Sequence, residues 1–414
     1  MPKIKDAVLD KFLRYIAIDT ESDYNANTYP STEKQFNLGR LLVKELKDIG
    51  LVDVTIDEYC YVTATLPSNT KKETKTIGFL AHLDTSPDMS GKGVNPLMFE
   101  DYQGGDLYLN EVRGIILSPE VFPSLSNYLG DTIITTDGTT LLGADDKAGI
   151  AEIMAAMEYL VAHPEIEHGT IKVAFTPDEE IGRGMDYFNV ERFNVDYAYT
   201  VDGGAVGELV YETFNAATAK VTINGNSIHP GSAKNKMVNS IQVGMELAAM
   251  LPAGEKPEFT EGYEGFTHLF KIKGNVEQTC LEFMIRDHNK EAFTKKKMFL
   301  QEAAAFLNKK YGSGTVDLEL IDSYQNMKEM IEPVFEIVAL AERAMEAVGV
   351  TPFIAPVRGG TDGARLSFMG IPCPNIFTGG HNYHGKFEYI PVSSMEKAVR
   401  VLVKICELYV EPGF

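Results

Sequence analysis

The sequence predicts an α/β domain with a mixed central sheet flanked by helices, built from residues 1–211 and 325–414, with a ferredoxin-like α+β domain inserted at 212–324. Three observations predict this class. Several short runs are continuously apolar, as strands buried on both faces are, and acidic or histidine residues follow their ends. From Thr218 onward the order of elements becomes β-α-β-β-α-β. The length of 414 residues also exceeds what one core usually supports.

Composition excludes several classes. The chain is 44% hydrophobic and 23% charged, which is ordinary globular composition. Its net charge of −21 leaves no basic stripe to neutralise phosphates, so a nucleic-acid partner is not expected. No apolar run has membrane-spanning length, and Met1 to Ile18 alternates charge with apolar residues rather than forming a signal peptide. The four cysteines, Cys60, Cys280, Cys373 and Cys406, are far apart and read as reduced, buried thiols of a cytoplasmic protein.

In chain order, Ile4 to Ile18 and Ser31 to Ile49 carry apolar residues at helical spacing, the second stopped by Gly50. Asp53 to Leu66 alternates like a strand pair. Thr76 to Ala81 is a buried strand, and His82 and Asp84 leave its carboxyl end, where ligands gather in open α/β sheets. A metal-binding histidine usually donates its second ring N–H to an orienting group, and Asp84 is placed for that shell. Thr85 to Asp131 reads as a long connection rich in Gly and Pro. Thr132 to Thr135 is a strand, followed by Leu141-Leu142-Gly143-Ala144-Asp145-Asp146 and a helix to Leu160. Thr170 to Thr176 is another buried strand, ended by Asp178-Glu179-Glu180. Adjacent carboxylates in an extended segment point opposite ways, so one can bind metal while its neighbour faces activated water. Asp196 to Val201 precedes Asp202-Gly203-Gly204.

In the inserted part, Thr218 to Asn224 is a strand and Ala233 to Leu251 a helix, with Val238, Ile241, Met245 and Ala248 on one face. Phe266 to Lys273 and Glu277 to Asp287 form a hairpin, Asn289 to Tyr311 a helix and Thr315 to Ile321 a strand. Beyond it, Glu332 to Val348 is helical, and Arg358 to Gly363 is a glycine loop of the kind that accepts an anion. Cys373 to Phe377 is a strand whose end carries His381 and His384, and Val392 to Leu408 is the last helix.

Two aspartates at a helix start can simply cap it. Capping does not call for the companion stretches at His82-Asp84, Asp178-Glu180, Asp202-Gly204 and His381-His384, all at comparable junctions. A pair of metal ions bridged by one carboxylate does, with Asp145 as the candidate bridge.

The stretches Ala81 to Pro87, Leu141 to Gly149, Phe175 to Glu180, Tyr199 to Gly204, Arg358 to Ala364 and Asn382 to Gly385 together resemble the peptidase T family of the di-zinc exopeptidase superfamily. Ile285-Arg286-Asp287 and Glu261 to Phe266 extend the resemblance to nearly the whole chain. The resemblance implies a tripeptide aminopeptidase with two Zn²⁺ per subunit, Co²⁺ or Mn²⁺ being possible substitutes. His82 and Asp202 then serve one ion, Glu180 and His384 the other, and Asp145 bridges both. At His381 the chain departs from the tyrosine of some members, and the family pattern selects His384. The resemblance further implies Glu179 as general base, Asp84 as the residue orienting His82, and His229 as the oxyanion donor reaching from the inserted domain. It implies a cis peptide after Asp145 and a lid at 212–324 that carries a homodimer contact; Arg286 and Arg358 are available either as clamps for a peptide's terminal carboxylate or as partners in structural salt bridges.

Two rivals differ in class. A sister carboxypeptidase or N-acyl amino acid deacylase on the same scaffold would not require a free substrate amine. A catalytically silent peptide-binding protein would have no use for Glu179 beside a full ligand set.

Overall fold

The computed structural model describes residues 3–411. Two compact units emerge from it, one of Met1–Tyr211, Glu329–Ala355 and Thr361–Phe414, the other of Glu212–Lys328 and Pro356–Gly360. Residues 325–328 and Pro356–Gly360 thus pack with the inserted unit, where the sequence reading had them in the first domain.

The first unit is built on an eight-stranded mixed sheet. Its order is Val52–Ile56, Val62–Leu66, Ile171–Thr176, Ile77–His82, Tyr197–Gly203, Asn375–Phe377, Glu208–Val210, Phe353–Ile354. The four middle strands, from Ile171–Thr176 to Asn375–Phe377, run parallel, and antiparallel neighbours flank them on both sides. Their continuous apolar runs are explained by burial on both faces: every residue of Ile77–His82 is buried, and Phe79 and Tyr199 stack at 6.0 Å. Each such ring or branched side chain removed from water contributes about 1.5–3 kcal/mol. The helix Ala144–Ala162 lies against the Ile77–His82 and Tyr197–Gly203 strands and packs with Ile4–Ile16 and Val392–Leu408. It is apolar nearly all round, as a helix covered on all sides must be. Among the described residues no helix is long and apolar enough to cross a membrane.

The expected long connection at Thr85 to Asp131 is in fact ordered. Pro96–Phe99 joins Ile133–Thr136 and Tyr389–Pro391 in a three-stranded sheet, and Leu107–Asn110 pairs with Ile115–Leu117. Leu107, Leu109, Ile115, Leu117 and Leu125 close a satellite core with Tyr389. Apolar residues at short alternating spacing stabilised by that core were diluted in sequence by the surrounding glycines.

The second unit has the expected strand and helix order. Its antiparallel sheet runs Phe266–Gly274, Gln278–Asp287, Asn215–Asn224, Val316–Tyr324, with helices Ser240–Met250 and Lys290–Tyr311. The first helix starts later than expected, where Asn239 accepts from the Ile241 and Gln242 amides. Its buried face is also different: Ser240, Val243, Gly244 and Leu247 face the core, while Met245 is 58% exposed. Gly244 decides this. A Cβ there would already touch Leu281 and Ile223, so the glycine is where the helix comes closest to the sheet.

Candidate metal and catalytic site

The carboxyl ends of the parallel strands carry the polar residues singled out in the sequence. His82 closes Ile77–His82, Asp202 lies in Tyr197–Gly203, Glu179 and Glu180 follow Ile171–Thr176, and His384 follows Asn375–Phe377. Asp145 enters from the first turn of Ala144–Ala162, where its backbone leaves helical geometry and the Asp145-Asp146 peptide is cis.

Asp145 reaches both histidines with separate oxygens. Its Oδ1 lies 2.9 Å from His82 Nε2 and its Oδ2 lies 3.1 Å from His384 Nε2. Around this axis, Asp202 Oδ1 is 3.6 Å from His82 Nε2, and Glu180 Oε2 is 3.0 Å from His384 Nε2. Ligand atoms of His82, Asp145 and Glu180 fall within 4.8 Å of one another, as do those of His82, Glu179 and Asp202.

The electrostatics are those of a site short of positive charge. Burial and the Asp145 charge push Glu180 up to about 8. Burial does the same to Asp202, to about 6, and, with the Asp202 charge, lifts Glu179 well above the carboxylate range. His384 is raised to about 11 by hydrogen bonds to Asp145 and Glu180. His82 is also raised: the desolvation of burial is outweighed by Asp202, Asp145 and Asp84. Asp145 is the exception, held low against desolvation by both histidines. Glu180 Oε1 is buried without a hydrogen-bond partner. Imidazole and carboxylate donors, surplus negative charge and an orphaned buried oxygen fit a pair of divalent cations.

Asp84 does more than the sequence suggested. His82 Nδ1 is 3.0 Å from the Asp84 backbone oxygen and 3.3 Å from its carboxylate. The carboxylate also accepts from the amides of Glu179 at 3.0 Å and Glu180 at 3.3 Å. Those glutamates sit on a turn rather than an extended segment. Asp178, at φ 57°, makes the turn by accepting from the Ser31 amide and hydroxyl and from Gln35. His381 lies apart from the ligand cluster, stacked on Tyr389 and bonded through Nε2 to the Tyr128 hydroxyl at 2.6 Å.

In the second unit, His229 is exposed and caps the short turn Pro230–Ser232, its Nδ1 accepting from the Gly231 amide at 3.1 Å. An accepting Nδ1 places the proton of the neutral ring on Nε2, ready to donate. Arg286 Nη1 donates to the Ala217 and Ile285 carbonyls. Arg358 differs from the expectation of a carboxylate clamp. It donates to the Gly262 and Glu264 carbonyls and the Thr260 hydroxyl, and lies over Phe214 and Phe266. It braces the Thr260–Glu264 loop. The glycine loop after Arg358 is likewise filled, since Thr361 Oγ1 takes the Ala364 amide and Gly360 packs on Tyr324.

Sequence reasoning missed Asp146, Asp362 and Glu388. Asp146 Oδ2 accepts the His82 amide at 3.1 Å, and Asp362 accepts from Thr176 beside Glu179. Glu388 is fully buried and accepts three amides of the Leu142–Asp145 segment. Asp146 was readable as half of an aspartate pair. Nothing in the sequence marked Glu388.

With this geometry in hand, the comparisons with known proteins agree on one group. Residues 137–408 match the model of peptidase family M20/M25/M40. A peptidase T from Alkaliphilus oremlandii is 62% identical over 404 residues, which cover 97% of this chain and 99% of that protein. The crystal structure of aminopeptidase PepT from Bacillus cereus superimposes with a TM-score of 0.78 at 26% identity, covering 98% of this chain and 99% of the other. A Bacillus subtilis protein described as a dinuclear metal-binding peptidase of the M20 family shares the fold, with a TM-score of 0.67 at 14% identity and 99% of both chains covered.

Proposed function

Because this chain belongs to peptidase family M20/M25/M40, with peptidase T relatives along nearly its whole length, we propose that it is a cytoplasmic di-zinc aminopeptidase that removes the N-terminal residue from tripeptides. The observation that carries the metal reading is Asp145, which turns one oxygen to each histidine. In this reading His82 and Asp202 hold one ion, Glu180 and His384 the other, and Asp145 serves both; Co²⁺ or Mn²⁺ can stand in for zinc.

Two divalent cations at these donors would supply Lewis acidity for the scissile carbonyl and lower the pKa of the attacking water. Glu179, its carboxyl raised well above the usual carboxylate range by burial and the Asp202 charge, is the group proposed to accept that water's proton and pass it to the leaving amine. Asp84 fixes the spacing of base and ligand by holding the Glu179 and Glu180 amides on one carboxylate. His229, with its proton on Nε2, is the donor proposed for the tetrahedral oxyanion. Arg286 is the group proposed for the peptide's terminal carboxylate. Arg358 serves that end only indirectly, by holding the Gly262–Glu264 loop. The homodimer contact is assigned to the inserted unit.

One assay decides the reading. A free tripeptide, its N-acetylated form and a decapeptide are offered to the protein with and without chelator. Rapid release of the N-terminal residue from the free tripeptide alone, abolished by chelator and restored by zinc or cobalt, is expected. Equal kcat/KM for all three peptides, or full activity in protein shown to be metal-free, would overturn it.

A further inference from the structure

The five proposed ligands come from five segments; Asp202 has its own strand, Tyr197–Gly203, and the other four segments are linked in series, three of the links being carboxylates that are not themselves ligands. Glu388 lies four residues beyond His384. Its Oε2 accepts the Leu142 amide at 2.7 Å and the Gly143 amide at 2.9 Å, and its Oε1 accepts the Asp145 amide at 3.1 Å. Asp146, adjacent to Asp145, accepts the His82 amide at 3.1 Å. Asp84, two residues beyond His82, accepts the Glu179 and Glu180 amides. The Glu180 carboxylate then meets His384 Nε2 at 3.0 Å and closes the series.

We infer that Glu388, Asp146 and Asp84 are positioning residues that join the His384, Asp145, His82 and Glu180 segments into one ring, which holds ligands of both metal positions, so that the two positions are ordered, and filled, together. A buried carboxylate with three amide donors is a rigid clamp, because every donor it loses leaves a polar group unsatisfied. Gly143, at φ 83°, lets the amides on either side of it converge on Glu388. Displacing His384 therefore displaces Glu388, then Asp145, and through Asp146 the His82 strand. Four independently held segments would instead give two independent sites. The inference rests on the ligand assignment proposed above.

The test is a zinc titration of the metal-free full chain against a chromophoric chelator, for wild type, Glu388→Gln and Thr135→Val. Glutamine keeps the volume of Glu388 but turns an amide N–H towards a backbone N–H. Thr135 donates to the Glu388 carbonyl at 2.7 Å, and valine removes that anchor without touching the carboxylate. The wild type is expected to take up two equivalents cooperatively. In E388Q both equivalents should weaken together, by about 10–100-fold, as loss of a group supporting metal ligands does. Weakening of one equivalent alone, or wild-type affinity for both, overturns the ring. Should E388Q lower the melting temperature of the metal-free protein, T135V decides: joint weakening supports the ring, and unchanged affinity overturns it. A wild type that binds no zinc is a different failure, since it removes the ligand assignment itself.

Discussion

Replacing Gly149 by alanine sets two magnitudes against each other. Gly149 lies in the helix Ala144–Ala162, and helix propensity alone makes alanine better there by about 1 kcal/mol. The tertiary structure says otherwise. A Cβ at Gly149 would sit 1.9 Å from the Val201 carbonyl oxygen, and it would press on the Asp146 carboxylate as well. An ordinary carbon–oxygen contact needs more than an ångström beyond that. The colliding atom is backbone in the middle of a sheet, so it cannot swing aside as a side chain would. Overpacking of a rigid core costs about 1–3 kcal/mol and sometimes more. Taking the upper part of that range and subtracting the propensity gain leaves a net loss of about 2 kcal/mol. With an unfolding entropy of about 2.1 cal/mol/K per residue over a unit of this size, that lowers the melting temperature by roughly 3 °C. Zinc affinity should fall with it, because Val201 precedes Asp202 and Asp146 holds the His82 amide. Scanning calorimetry of G149A and wild type, each metal-free and zinc-loaded, measures both effects. A melting temperature equal to or above wild type would show that the strand yields freely, and the argument from close approach would fail.

Four further substitutions probe separate groups. Glu179→Gln should retain both metals and lose about 10²–10⁴-fold in kcat, whereas Glu180→Gln should lose one metal; elemental analysis beside steady-state kinetics exposes any exchange of roles. His229→Ala should lower kcat by about 10²–10³-fold at unchanged metal content, and an unaltered kcat would leave His229 as a turn cap. His381→Gln addresses pH. Burial lowers His381 from 6.5 to about 4, so the unfolded chain takes up a proton that the folded protein resists. The resulting stabilisation is complete above pH 6.5 and is lost as pH falls towards 4. It amounts to at most about 3 kcal/mol. Urea midpoints between pH 7 and 4 should fall less steeply in H381Q than in wild type, and parallel curves would remove His381 from the account.

Much of the site was legible in sequence because it sits where the pattern breaks. An apolar run such as Ile77 to Ala81 reports a strand buried on both faces, and a histidine or acid just past it marks the edge where the core ends. That logic found His82, Asp145, Glu179, Glu180 and Asp202 and marked both His381 and His384, between which the family resemblance chose His384; the fold gathers the first five with His384 at the carboxyl ends of the parallel strands. The β-α-β-β-α-β order of the inserted unit was legible for the same reason: periodicity reports which faces are covered.

What periodicity does not report is the partner. Glu388 reads as one more acid near the chain's end, yet three amides of a segment more than 240 residues away converge on it. Asp84 read as an aid to His82, and its carboxylate also holds the turn that carries Glu179 and Glu180. The register of Ser240–Met250 was misplaced because its apolar residues admit two faces, and only the close approach at Gly244 selects one. Arg358 looked like an anion clamp, and three of its five N–H donors go to nearby acceptors. The sequence by itself therefore determined which residues could not be core and what chemistry their types allow. The tertiary structure alone decided which amide each carboxylate satisfies, because a buried hydrogen bond is made with whatever donor the packing brings within 3 Å, however distant it is along the chain.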